Sequence, residues 1–156
     1  MRVTRYTDYS LRVLIYLGLR PDQRSTIREI SEAYDISRNH LMKVVQQLVS
    51  LGYVDSVRGV GGGLNLALPP DQIAVGGVVS AMEPDLALVE CMRSNNQCVI
   101  SDGCKLKRML ARARDGFIEA LNEYSLADIL TPDEARELAL VLKIEPPTER
   151  GQRSVA

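Results

Sequence analysis

No stretch of this 156-residue chain approaches the roughly 18 consecutive apolar residues that a membrane-spanning helix needs. The opening segment MRVTRYTDYSLRVL breaks its apolar run at Asp8 and Arg12, so it does not read as a signal peptide, and a cytoplasmic location is expected. Histidine occurs once, at His40, and cysteine three times, an odd number that cannot pair off completely as disulfides. No two cysteines have the close C-x2–4-C spacing favoured by structural zinc sites. Nucleophile elbow, phosphate loop and a base near a thiol are all missing, so an enzyme is not expected.

What is present is ordinary in bulk and uneven in detail. With 46% hydrophobic and 25% charged residues, the chain has the balance of a globular protein able to bury one core. Residues 1–70 carry nine Lys/Arg against six Asp/Glu, and residues 71–156 carry ten against fourteen. A basic first half beside an acidic second half permits a nucleic-acid-facing surface in the first.

Apolar spacing divides that first half into elements. Residues 6–19 place Leu11, Leu14 and Leu17 at helical spacing, and Pro21 ends the run. Thr26 and Glu29 form a capping-box signature ahead of a short helix that buries Ile27, Ile30 and Ala33. Ser37 suits the N-cap of a third helix, whose stripe is Leu41, Val44, Val45 and Leu48, with Gly52 past its end. YVDSV and LNLAL then alternate as strands around RGVGGG, a hairpin with a glycine tip closed by Pro69 and Pro70. A short helix is predicted over 73–82. A long one follows over 105–124, with Leu106, Leu110, Ala113, Phe117 and Leu121 on one face. SLADIL makes a small turn, Thr131-Pro132 opens a last short helix, and the tail EPPTERGQRSVA reads as disordered.

Three helices followed by a glycine-tipped hairpin give the order of a winged helix-turn-helix. The fold class expected is mainly α with one small β-hairpin, a winged helix-turn-helix domain carrying a long additional helix. With its apolar stripe inward, the third helix presents Asn39, His40, Lys43, Gln46 and Gln47 outward, side chains that hydrogen-bond base edges or phosphates. Ser37 and Arg38 stand at its N-terminus, where a phosphate can be held. In the hairpin, Arg58 suits a minor groove, and Gly61 and Gly62 allow backbone to approach the sugar–phosphate surface. A plain solvated helix face would need none of this ordered set. His40 fits a DNA contact or simple exposure better than a metal ligand.

All three cysteines lie in CMRSNNQCVISDGC, spaced C-x6-C-x5-C. In a reducing compartment such a cluster points to metal binding or redox chemistry. Loops of five and six residues can wrap thiolates around a broad inorganic cluster, and iron–sulfur clusters take thiolate ligands, usually four. Zinc, thiol redox and inert cysteine remain as alternatives. With three thiols, the fourth position would fall to Asp8, Glu90, Asp102 or solvent.

The segments TDYSLRVLIYL, ISRNHLMKVVQQL, GYV, RGVGGGLNLA, EC-x6-C-x5-C-KLKRML and SLADIL resemble the Rrf-type winged-helix regulators over roughly residues 1–130. Within that family the likeness is greatest to its nitric-oxide-sensing repressors. The cluster-assembly regulators carry a histidine shortly after the third cysteine, whereas here Cys104 is followed by Lys-Leu-Lys. The resemblance implies a homodimer joined through helix 105–124 that binds palindromic promoter DNA and lets go when nitric oxide nitrosylates its cluster. It implies a cluster, [4Fe-4S] or else [2Fe-2S], on Cys91, Cys98 and Cys104. It also brings one subunit's first helix near the other's cysteine loop, which selects Asp8 as fourth ligand. The expected division is 1–83 for DNA binding, 84–104 for the cluster loop, 105–130 for the dimer helix and turn, and 131–156 for a short helix and tail. A regulator answering to cluster supply or oxidative stress on the same fold is the alternative.

Overall fold

The computed structural model describes residues 3–145. Helix α1 (Arg5–Gly18) is the central element of the core. Its N-cap Thr4 accepts from the Thr7 backbone N–H, and its buried face is Val13, Leu14, Tyr16 and Leu17; the helix packs against the third and fourth helices and the second strand of the hairpin. Helix α2 (Ile27–Tyr34) begins at the expected capping box: Thr26 accepts from the Glu29 N–H, and Glu29 accepts from the Thr26 N–H at 2.6 Å. Asp35, left-handed at φ 52°, ends α2 and turns the chain into α3 (Arg38–Ser50). Leu41, Val44, Val45 and Leu48 of α3 are buried, and Gly52 at φ 76° reverses the chain beyond its end.

Strands β1 (Val54–Val57) and β2 (Gly63–Leu66) pair antiparallel, with Val54 opposite Leu66 and Val57 opposite Gly63. Four-residue strands make a weak ribbon on their own. A third segment supports this one: Ser25 and Leu64 exchange backbone hydrogen bonds of 2.9 and 2.8 Å. Beyond a 3-10 turn at Pro70–Gln72 comes α4 (Val75–Met82), starting two residues later than its apolar run suggests, with Ile73 itself buried.

Helix α5 (Lys105–Asn122) packs along α4 and ends two residues earlier than expected. The approach is close because α4 has glycine at the crossing. A Cβ on Gly76 would stand 2.6 Å from the Ile118 carbonyl oxygen and 2.4 Å from Asn122 Oδ1. Helices α6 (Leu126–Ile129) and α7 (Pro132–Val141) follow, burying Leu126, Ala135 and Ala139. Most of the tail expected to be disordered lies outside the described residues. Among the described residues no helix is long and apolar enough to cross a membrane.

Candidate nucleic-acid interface and cysteine loop

Helix α3 rests its apolar stripe on α1 and α2, so its other side is open. Ser37, Arg38, Asn39, His40, Lys43 and Gln46 are exposed, and Gln47 is half-buried. Ser37 does occupy the N-cap, but its hydroxyl makes no cap hydrogen bond; the His40 and Leu41 N–H groups reach its carbonyl instead. Two contacts fix the pitch of this helix. The Tyr6 hydroxyl donates to the Lys43 carbonyl at 2.9 Å, and the Tyr9 ring lies 6.3 Å from the His40 ring. Arg38 stands 3.7 Å from Glu32, which also holds Arg28 at 2.8 Å.

The wing glycines have a reason inside the fold. Gly59 and Gly61 are left-handed at φ 97° and 75°, and a Cβ on Gly62 would lie 2.3 Å from the Val57 carbonyl oxygen. The tip is therefore a tight turn closed by Gly62 N–H to Gly59 O at 3.0 Å, leaving Arg58 exposed and Val60 fully in solvent.

The cysteine loop is pinned at its entrance. Asp85 accepts from the Ala87 N–H at 2.7 Å and from Arg93 Nε at 2.6 Å, and these two bonds, in that order, hold its carboxyl below the usual range. Glu90 accepts from the Gln97 N–H at 2.9 Å, so the carboxylate beside Cys91 is engaged in closing the loop; Asp102 is exposed. Cys91, Cys98 and Cys104 are all free thiols and half-buried. Cys104 is the N-cap residue of α5, so the loop runs directly into that helix. Three soft thiols fit the ligand preference of an iron–sulfur cluster. Among the described residues no three Cys, His, Asp or Glu side chains are gathered to hold a metal. One chain alone therefore assembles neither the thiols with one another nor a pair of them with Asp8. Asp8 is instead bound to Arg12, at 2.8 Å.

Helix α5 corrects one expectation. Its long apolar arc is two stripes, not one face. Leu110, Phe117 and Leu121 are half-buried, with Leu110 and Phe117 lining a groove together with Val79 of α4. Leu106 and Met109 are 60% and 68% exposed, and Ala113, Gly116 and Ala120 continue that outer stripe at helical spacing.

Residues 3–132 match the model of Rrf2, described as an iron-dependent transcriptional regulator. The chain belongs to the Rrf2 family, as an NsrR-type regulator. It is 48% identical over 132 residues to the HTH-type transcriptional regulator NsrR of Bacillus subtilis, covering 83% of this chain and 90% of that one. NsrR of Halalkalibacterium halodurans is 41% identical over 148 residues, covering 94% and 100%. Among solved structures, CymR, the global cysteine regulator of B. subtilis, aligns with a TM-score of 0.65 at 23% identity, covering 83% of this chain and 95% of that one. IscR of T. potens aligns with a TM-score of 0.66 at 24% identity, covering 83% and 86%. These two share the fold.

As an Rrf2 regulator the protein is a DNA-binding transcription factor and not an enzyme. Two features of this Rrf2 chain escape a reading from residue types alone. Arg12, paired with Asp8, also lies 5.9 Å from the ring centroids of both Tyr9 and Tyr34. The i, i+4 spacing of Asp8 and Arg12 was the signal available for that contact. Burial pushes the Tyr34 phenol up to about 12, so it stays neutral beside Arg12. Asp8 and α3 are thus joined by a continuous run of contacts through Arg12, Tyr9 and His40.

Proposed function

We propose that this protein is a homodimeric repressor that binds a palindromic promoter site with an iron–sulfur cluster in the 91–104 loop and leaves it when nitric oxide reacts there. The observation that carries the reading is the position of the loop. It holds every thiol of the chain, and its last cysteine is the N-cap of the helix whose outer stripe is exposed.

Cys91, Cys98 and Cys104 would hold the cluster, with Asp8 of the second subunit as fourth ligand. When bound, the cluster supplies iron sites at which nitric oxide can react. This chain's own residues supply the rest. Asp85, through Ala87 and Arg93, anchors the entrance of the loop, and Glu90 fixes its first turn. Asp8 has to leave Arg12 to serve as a ligand, and Arg12 rests on the ring of Tyr9, which contacts His40. Gain or loss of that ligand would therefore be felt at the recognition helix.

Dimerisation follows from helix α5. Leu106, Met109, Ala113, Gly116 and Ala120 let a second copy approach closely. Lys105, Lys107, Arg108 and Arg112 lie in the first half of the helix, Arg114 is at its middle, and Asp115, Glu119 and Glu123 lie toward its end. This ordering opposes the helix dipole. In an antiparallel pair it sets each basic half beside the partner's acidic half. Two α3 helices related by such a two-fold axis suit half-sites about one DNA turn apart, and Lys43 and Arg58 are the contacts assigned to phosphate and minor groove.

The direct test is anaerobic purification followed by iron and sulfide analysis. A brown protein with iron and sulfide in matching amounts is expected, and Cys→Ala at 91, 98 or 104 should each remove the colour. A colourless protein holding zinc would overturn the reading.

A further inference from the structure

The wing does not stand on its own two strands. Its base is joined to the α1–α2 connection by the Ser25–Leu64 hydrogen bonds, which bring the preceding residue, Arg24, against the hairpin. The fit is close: a Cβ on Gly63 would lie 2.9 Å from Arg24 Cβ and 3.0 Å from the Ser25 carbonyl oxygen. From there the exposed Arg24 side chain reaches the tip, where Nη1 donates to the Gly61 carbonyl at 3.4 Å. The segment 58–63, RGVGGG, holds a single cation of its own, Arg58.

We propose that Arg24, which belongs neither to the recognition helix nor to the wing, is a second DNA-contacting cation at the wing. It would grip the Gly61 carbonyl with one N–H and a backbone phosphate beside the minor groove with the others. A guanidinium carries five donors in a rigid fork, so one bond to a carbonyl leaves four for phosphate oxygens. The contact matters because the wing tip is glycine. Three of its residues, Gly59, Gly61 and Gly63, have positive φ, and beyond the Gly62–Gly59 hydrogen bond such a glycine backbone gains from a hold outside the turn. Arg24 supplies a pin that also carries charge. In a narrow minor groove the potential is strongly negative, and two guanidiniums flanking one glycine turn exploit it better than Arg58 alone.

The proposal rests on the DNA-facing assignment of α3 and the wing, so its test separates the two. The probe is a fluorescein-labelled palindromic duplex recovered from a randomised library by selection with the wild-type dimer. Anisotropy titrations over a range of salt compare wild type, Arg24→Ala, Arg24→Lys and Lys43→Ala, each checked for an unchanged melting temperature. Arg24→Ala should bind about five- to tenfold more weakly, and its salt slope should fall by about one. Arg24→Lys should restore the slope while recovering only part of the affinity, because an ammonium cannot hold carbonyl and phosphate in one plane. An unchanged salt slope in Arg24→Ala overturns the phosphate contact, even if affinity drops. If Lys43→Ala is equally silent, the assignment of the whole interface falls, and the Arg24 proposal with it.

Discussion

Gly62 and Glu29 show how much at the residue scale is decided by immediate neighbours. Gly62 cannot carry a Cβ because the Val57 carbonyl already fills the place, so the hairpin's own turn requires glycine there. Burial alone would raise the Glu29 carboxyl, but the Thr26 N–H, the Arg20 guanidinium and the Thr26 hydroxyl outweigh it and hold the carboxyl low. A carboxylate held low in the folded state contributes stability above its unfolded value, and loses it as pH falls through the folded one. Glu29→Gln keeps an acceptor for the capping box but removes the titration. Its melting temperature should therefore vary less with pH than wild type below about pH 4.5, as thermal scans from pH 6 to pH 3 would show. For DNA, Lys43→Ala and Arg58→Ala should each weaken operator binding and lower the salt slope by about one, with melting temperature unchanged. Unchanged affinity in both, measured by anisotropy, would remove the assignment of recognition helix and wing.

At the scale of elements, α2 and α5 mark what was legible and what was not. The start of α2 could be read from Thr26 and Glu29 because a capping box is local chemistry. The hairpin could be read because a change of apolar period to two needs no knowledge of what lies beneath. Helix α5 could not be fully read. Its apolar arc spans two adjoining stripes, and only the position of α4, set by the bare backbone at Gly76, decides which stripe turns inward. Charge at Leu110 or Phe117 would thus damage the α4–α5 packing within one chain. Charge at Met109 and Ala113 tests the dimer. Met109→Glu with Ala113→Glu should give a folded monomer in analytical ultracentrifugation, with operator affinity reduced on the order of a hundredfold because one half-site is lost. A dimer that survives both substitutions would place the interface elsewhere. The Arg24–Gly61 and Arg12–Tyr34 contacts carry no periodic signal, since each depends on a chain reversal that brings distant residues together, whereas Asp8, Tyr9 and Arg12 are neighbours on one helix face.

Across the whole molecule, the parts lie in one mechanical series. The cysteine loop is pinned by Asp85, ends on the N-cap of α5, and α5 lies along α4, which packs on α1. Helix α1 in turn holds α3 through Tyr6 and Tyr9. In the proposed dimer, movement in the loop would reach α3 by two routes, along α5 to the second subunit and, through Asp8 as that subunit's ligand, along Arg12 and Tyr9. Losing Asp8 should leave the three thiols with a cluster of altered spectrum, whereas losing any thiol should empty the loop. Asp8→Ala, examined anaerobically, should then retain iron but dissociate from DNA at a different nitric oxide dose from wild type. The central measurement is a titration of anaerobic, iron-loaded protein with nitric oxide, following cluster absorbance and operator anisotropy in the same cuvette. DNA release should track the absorbance change, and iron-free protein should bind the operator weakly. Operator binding that survives complete reaction of the cluster, or iron-free protein that binds as tightly as loaded protein, would contradict this mechanism.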